Sequence, residues 1–151
     1  MRHFWVVLAI GCGGGTSGDP IMGTVSLTYG DSQPKLVVGA AVQSEDSPSK
    51  MLVQIGSDNV DCDTYLDNFF DLNPPSGSFI FFNVEKLAGT TSGSVAVMKS
   101  SSNSVAVNQG PGSITIDAVE PRVTGTVTFA TTDEEVGSIL VAGTFDVKRC
   151  F

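Results

Sequence analysis

The stretch Gly137–Lys148, GSILVAGTFDVK, decides the fold class of this chain. Its main apolar residues lie an even number of positions apart, so an extended strand places them all on one face. They are Ile139, Val141, Phe145 and Val147. The positions between them are mostly small or polar. This alternation is typical of a strand with one face in a core, and it predicts an antiparallel sheet.

The same period of two recurs along the chain from Gly23 onward. It is clearest in Gly23–Tyr29 (GTVSLTY), Gly112–Ala118 (GSITIDA) and Val123–Thr131 (VTGTVTFAT). Further strands are predicted at Leu36–Gln43, Met51–Ile55, Phe79–Val84, Val95–Lys99 and Val105–Asn108. About nine short strands without a long helix predict an all-β domain over residues 23–151, either an antiparallel β-sandwich or a partly open barrel.

A glycine followed by Ser or Thr and an apolar–any–apolar triplet recurs within these strands. It occurs at Gly23, Gly93, Gly112, Gly125 and Gly137. The unequal spacing excludes a structural repeat. We expect each glycine to form a turn and the hydroxyl residue after it to open a strand.

One stretch breaks the alternation, Asp61–Leu72 with the sequence DCDTYLDNFFDL. Its large apolar residues recur at helical spacing, and they are Tyr65, Leu66, Phe69 and Phe70. Asp61 or Asp63 is suited to cap a helix N-terminus, where a carboxylate also interacts well with the helix dipole. We therefore expect a short helical insertion of a turn or two, ended by Pro74 and Pro75.

The N-terminus has the order of a secretory signal: a positive start at Arg2, an apolar stretch Phe4–Ile10, and a small residue, Gly11, before Cys12. The sequence Ala9–Cys12 resembles the lipobox of bacterial lipoproteins, although Ala9 stands where that family most often has Leu. The resemblance implies a diacylglyceryl group on the Cys12 thiol and cleavage before Cys12. Residues 1–11 are then a signal peptide.

Three glycines follow Cys12 in the stretch Gly13–Pro20, GGGTSGDP. Such a composition packs poorly, so residues 12–22 are predicted to be the lipidated cysteine and a flexible tether. Two or three acyl chains hold a protein stably on a membrane where one does not. In lipoproteins, Gly13 rather than Asp after the cysteine is compatible with sorting to the outer membrane.

Removal of the signal would also remove the chain's single histidine and single tryptophan, His3 and Trp5. Two cysteines remain besides Cys12. Export places Cys62 and Cys150 in an oxidising compartment, where an isolated pair usually bonds. The sequence therefore predicts a Cys62–Cys150 disulfide.

Taken together, the chain resembles small lipoproteins of Gram-negative bacteria. The resemblance is carried by the lipobox, the tether, the acidic β-rich domain and the terminal Gly143–Cys150, GTFDVKRC. It implies a lipid-anchored protein of the cell envelope, with the membrane and envelope proteins as its partners. It carries over no catalytic or ligand-binding residue.

Composition and missing motifs exclude several function classes. The net charge of −8 and the pI of about 4.3 disfavour a nucleic-acid partner, because an acidic surface repels phosphates. No apolar run reaches the length of a spanning helix. A mature chain without histidine cannot form a Ser-His-Asp or Cys-His arrangement or a His-based zinc site. We therefore expect no catalysis and no cofactor, and a structural or protein-interaction role.

Aspartates are the remaining candidates for chemistry, and five of them are close in sequence. They are Asp58, Asp61, Asp63, Asp67 and Asp71. Calcium prefers such oxygen ligands, but the spacing is not that of an EF-hand, and a solvated acidic face explains the cluster equally. A ligand-binding module for calcium or a glycan near Asp58–Asp71 is one alternative function, and a carboxylate-only hydrolase is another. Phe79, Phe81 and Phe82 are expected in the core.

Overall fold

The computed structural model describes residues 18–68 and 75–151, which form nine β-strands and one short 3-10 helix. The strands are β1 (Met22–Gly23), β2 (Ser26–Tyr29), β3 (Val38–Gln43), β4 (Lys50–Gly56), β5 (Gly77–Glu85), β6 (Gly89–Ser101), β7 (Ser104–Ala118), β8 (Val123–Asp133) and β9 (Gly137–Arg149), and the 3-10 helix is Leu66–Asn68. The predicted all-β class is confirmed. The predicted signal peptide, Cys12 and residues 13–17 lie outside the described residues.

Seven of the strands close into a hydrogen-bonded ring. The order is β9-β3-β4-β5-β6-β7-β8, and β8 pairs back with β9. β1 and β2 both pair with β9, on the edge that β8 leaves free. Because the strands close into a ring, the fold resembles the predicted barrel more than the predicted sandwich.

The sheet is mixed, whereas the alternation predicts an antiparallel one. β3 and β9 run parallel, with Ala40 opposite Lys148 and Ala41 opposite Arg149. The backbone N–H of Cys150 continues this link by donating to the Ala41 carbonyl at 2.9 Å. The cause is parity: successive antiparallel strands reverse direction, so the first and last of seven run the same way and their closing pair must be parallel.

Strand lengths also differ from the prediction, chiefly in β6 and β7, which are longer than the short strands predicted there. β6, β7, β8 and β9 contain 13, 15, 11 and 13 residues. Most of the added length lies in the hairpin arms, where exposed Ser, Thr and Gly positions pair without an apolar signal. Residues 18–22, predicted as tether, also join the domain, because Gly18 bridges Val60 and Pro20 bridges Val38.

The inward faces of the strands fill the ring with apolar side chains. The buried residues of this inner core come from every strand from β2 to β9. The rings of Phe82 and Phe145 meet edge to face with their centroids 5.6 Å apart. Ile139, Val141, Phe145 and Val147 are all buried here, as the opening stretch predicts.

A second core lies on the outer face of β3–β6. Its buried residues are Val38, Ala40, Val42, Leu52, Val60, Leu66, Phe79, Phe81, Ala96 and Met98. Residues 57–68, here called the cover segment, supply Val60 and Leu66 to it. β4 is therefore buried on both faces, which explains the nearly unbroken apolar run of Met51–Ile55.

The predicted helical insertion is not seen in the described residues, where the cover segment forms only the 3-10 helix. Asp61 does not cap a helix. Its Oδ1 instead accepts hydrogen bonds from the Asp63 N–H at 2.9 Å and the Thr64 hydroxyl at 3.0 Å, which makes a tight turn. Phe69, Phe70 and Asp71 lie outside the described residues.

The repeated glycines mark strand entry only in part. Gly137 opens β9, but Gly93, Gly112 and Gly125 lie inside β6, β7 and β8. At Gly125 the reason is close packing inside the ring. A Cβ on Gly125 would lie 2.1 Å from the Thr115 carbonyl oxygen and 2.8 Å from the Phe145 ring.

Candidate functional site

A disulfide joins Cys62 in the cover segment to Cys150 at the end of β9. The two Cα atoms are 5.4 Å apart, and the residues are 88 positions apart in the chain. The pairing predicted from the sequence is thus confirmed. It fastens the segment that covers the outer core to the strand that closes the ring.

Asp19, which sequence reasoning did not single out, lies beside this disulfide. Its Oδ2 is 3.8 Å from Cys62 Sγ, and its Oδ1 accepts a hydrogen bond from Lys148 Nζ at 3.1 Å. Its backbone is held on both sides: the Asp19 N–H donates to the Val60 carbonyl, and the Gly39 N–H donates to the Asp19 carbonyl. Three separate parts of the chain therefore meet at one point.

The candidate calcium ligands do not come together. Asp58 Oδ1 accepts from the Asn59 N–H at 2.9 Å, Asp61 forms the turn already described, and Asp63 is exposed. In residues 18–68 and 75–151, the only place where three metal-binding side chains bring ligand atoms within 4.8 Å of one another is Asp19, Cys62 and Cys150. The carboxylates of Asp58 and Asp61 thus serve local turns.

Asp67 is different, because it is half-buried. Burial raises the pKa of its carboxyl group, the negative charges of Glu45 and Asp46 add to that rise, and a hydrogen bond from the Asn83 side chain opposes it. Within the described chain, Asp67 Oδ1 and Asn83 Oδ1 are buried oxygens without a hydrogen-bond partner. Sequence reasoning named Asp67 but could not find its neighbours Asn83, Glu45 and Asp46, since they come from distant parts of the chain.

A polar chain of side chains links β2, β7 and β8 near the β8–β9 turn. The Tyr29 hydroxyl donates to Asn108 Oδ1 at 3.2 Å, and Asn108 Nδ2 donates to Asp133 Oδ2 at 2.8 Å. The pKa of Asp133 is lowered by the backbone N–H groups of Val136 and Glu135 and by the Asn108 amide. These groups satisfy one another, so the arrangement is structural.

The surface carries shallow grooves. One of about 460 Å³ lies along the β5–β6 turn, where Leu87 is 72% exposed. Its charged lining residues are Lys50 and Glu85. The phenylalanines considered for a binding cleft, Phe79, Phe81 and Phe82, are buried in the two cores, as predicted.

Two further findings bear on function. None of the described residues forms a helix long and apolar enough to cross a membrane. Comparison with protein-family models, with curated proteins and with solved structures finds no match to this chain.

Proposed function

We propose that this protein is an envelope lipoprotein, anchored through acyl groups on Cys12, whose β-domain has a structural or protein-interaction role and no catalytic activity. The observation that carries the proposal is the order of the N-terminal segments: a positive start, the apolar Phe4–Ile10, the lipobox-like Ala9–Cys12 and then glycines. A thiol directly after a small residue at the end of such a run is the substrate pattern of lipoprotein acylation.

The position of the first described residues supports the anchor. Gly18 and Asp19 pair with the cover segment next to the disulfide. Gly18 lies six positions after Cys12 in the sequence, and a chain of that length spans at most about 20 Å. An acylated Cys12 would hold the disulfide end of the domain close to the bilayer and leave the β8–β9 turn facing away from it.

The internal chemistry supports a non-catalytic role. The inner core is filled by apolar side chains, and the Tyr29–Asn108–Asp133 chain is internally satisfied. Two aspartates of the cover segment, Asp58 and Asp61, accept hydrogen bonds within local turns. A domain built in this way presents stable surfaces, and its partners are expected among envelope proteins.

The test is acylation in a Gram-negative host. The wild-type gene, Cys12→Ala and the matched tether variant Gly15→Ala would be expressed with an alkyne palmitate and separated into membrane and aqueous fractions. We expect label and membrane association for wild type and Gly15→Ala, and neither for Cys12→Ala. Label that persists in Cys12→Ala, or that is absent from all three, would contradict the proposal.

A cation-binding role is the second candidate, and one observation favours it. Among residues 18–68 and 75–151, Asp67 Oδ1 and Asn83 Oδ1 are buried acceptors that find no hydrogen-bond partner, and Glu45 and Asp46 add negative charge near Asp67. A calcium ion satisfies oxygen ligands of this type. The charge of such an ion would also offset the cost of burying the Asp67 carboxylate.

This candidate is tested by thermal unfolding with and without calcium. A bound ion raises the Tm of wild type, and the rise grows with the logarithm of the ion concentration once that exceeds the dissociation constant. The rise should disappear in Asp67→Asn and persist in Asp63→Asn, whose carboxylate is exposed. A wild-type Tm that does not respond to calcium would rule out this role.

A further inference from the structure

We propose that Asp19, Cys62 and Cys150 form a zinc site when the Cys62–Cys150 disulfide is reduced. The three side chains bring one ligand atom each to within 4.8 Å of one another. Two thiolates and one carboxylate are ligands that Zn²⁺ accepts, and three protein ligands leave a fourth tetrahedral position for water. The inference is independent of the proposed lipid anchor.

Two of the three ligands, Asp19 and Cys150, are held in place by contacts other than the disulfide. The Asp19 backbone is hydrogen-bonded to Val60 and Gly39, and the Cys150 N–H donates to the Ala41 carbonyl. Breaking the S–S bond leaves these contacts intact. The two Cα atoms, 5.4 Å apart, are therefore expected to stay close after reduction.

The carboxylate of Asp19 directs one oxygen toward the sulfurs. Its Oδ1 is paired with Lys148 Nζ at 3.1 Å, while its Oδ2 is the atom that lies 3.8 Å from Cys62 Sγ. Lys148 thereby fixes the orientation of the carboxylate. Its positive charge also reduces the excess negative charge that two thiolates and a carboxylate leave after binding a divalent ion.

The chemistry has two balanced steps. A dithiol reductant supplies two electrons and two protons, the S–S bond breaks to give two thiols, and the reductant becomes a disulfide. Zn²⁺ then replaces the two thiol protons, which pass to solvent, and forms two Zn–S bonds and one Zn–O bond. In the reduced protein, the metal would link the cover segment to β9 in place of the disulfide.

The experiment uses the full chain with Cys12→Ala, so that no third thiol is present. The protein is reduced with dithiol, freed of reductant without oxygen, and titrated with Zn²⁺ and with Co²⁺ as a spectroscopic probe. We expect one ion per reduced chain, thiolate-to-cobalt charge-transfer bands, and no binding to the oxidised protein. Asp19→Asn should weaken binding by at least about tenfold, whereas Asp63→Asn, next to Cys62, should not change it.

Three results would overturn the proposal: no binding by the reduced chain, binding unaffected by Asp19→Asn, or equal binding after both thiols are alkylated. Alkylation of the reduced Cys12→Ala chain blocks both thiols without a substitution at Cys62 or Cys150. A rise in the Tm of the reduced protein with Zn²⁺, absent after alkylation, would show in addition that the metal binds the folded state.

Discussion

At the residue scale, Gln54 shows how one buried amide fixes the cover segment. Its side chain is fully buried on the outer face of β4, where the alternation would allow an apolar residue. Its Oε1 accepts from the Leu66 N–H at 2.7 Å, and its Nε2 donates to the Thr64 carbonyl. These bonds satisfy backbone groups that a helix would otherwise have paired internally.

Replacing Gln54 by Met keeps the length of the side chain and removes both hydrogen bonds. Each buried group left unpaired costs about 1–3 kcal/mol, so we expect Gln54→Met to lower the free energy of unfolding by at least about 2 kcal/mol. Urea unfolding measures this change in the free energy of unfolding. The control is Gln109→Met on the exposed face of β7, which should stay within about 0.5 kcal/mol of wild type. Equal effects of the two variants would show that the Gln54 bonds do not stabilise the cover.

The raised pKa of Asp67 predicts that the stability of the domain depends on pH. Because burial raises its folded pKa above the ordinary 3.8, the folded state binds more protons than the unfolded state between those two values. Its favourable contribution is thus present below pH 3.8 and is lost as pH rises through the folded pKa. We expect Asp67→Asn to be more stable than wild type near about pH 7, with the gain absent near about pH 3, as followed by urea unfolding.

Asp133 provides the contrast, since its pKa is lowered. Its contribution is present above its ordinary pKa and is lost as pH falls through the lowered value. Asp133→Asn should therefore destabilise at neutral pH, opposite in sign to Asp67→Asn. If both variants shift stability in the same direction at neutral pH, the assignment of the two environments is wrong.

At the scale of the element, the strands were predictable where one face is apolar. In Gly137–Lys148 the main apolar residues alternate with other residues so regularly that the residues facing the core can be predicted from the sequence. The outer arms of β6 and β7 carry no such pattern, because both faces of Ser100–Ser104 are polar and pairing comes from the hairpin itself. The prediction for the cover segment was wrong for another reason. Its apolar residues do recur at helical spacing, but the side chains of Asp61 and Gln54 form hydrogen bonds with backbone groups that a helix would need.

The glycine in β8 gives an element-scale prediction. A Cβ on Gly125 would clash with the Thr115 carbonyl oxygen and the Phe145 ring, and neither group can move away without a cost in free energy. We expect Gly125→Ala to cost about 1–3 kcal/mol in urea unfolding, the range for overpacking a core.

Gly93→Ala in β6 is the matched control. Its Cβ would lie 3.3 Å from Ile114 Cδ1, the end of a flexible side chain. We therefore expect Gly93→Ala to lower the free energy of unfolding less than Gly125→Ala does. A Gly125→Ala protein as stable as wild type would contradict the packing inside the ring.

At the scale of the whole molecule, two long-range links complete the structure: the parallel β3–β9 pair and the disulfide. Cysteine counting predicted the disulfide, because only two cysteines remain beyond Cys12. No local pattern predicts the parallel pair, since its partners are over a hundred residues apart. The position of Asp19 beside the disulfide could not be predicted either, because it depends on how the fold brings Asp19, the cover segment and β9 together.

Reduction of the disulfide should destabilise the whole domain. In the chain-entropy model, opening a loop of this length costs about 4–5 kcal/mol. Urea unfolding of oxidised and reduced protein, with a chelator to exclude metals, measures the difference. Two alkylatable thiols from Cys62 and Cys150 in denatured, unreduced protein would show that the bond does not form.

The central claim is that Cys12 anchors this β-domain to the envelope. The most direct measurement is the mass of the N-terminal peptide of the protein purified from the membranes of a Gram-negative host. We expect a peptide that begins at Cys12 and carries a diacylglyceryl group on the thiol. A peptide that retains residues 1–11, or that contains an unmodified Cys12, would contradict it.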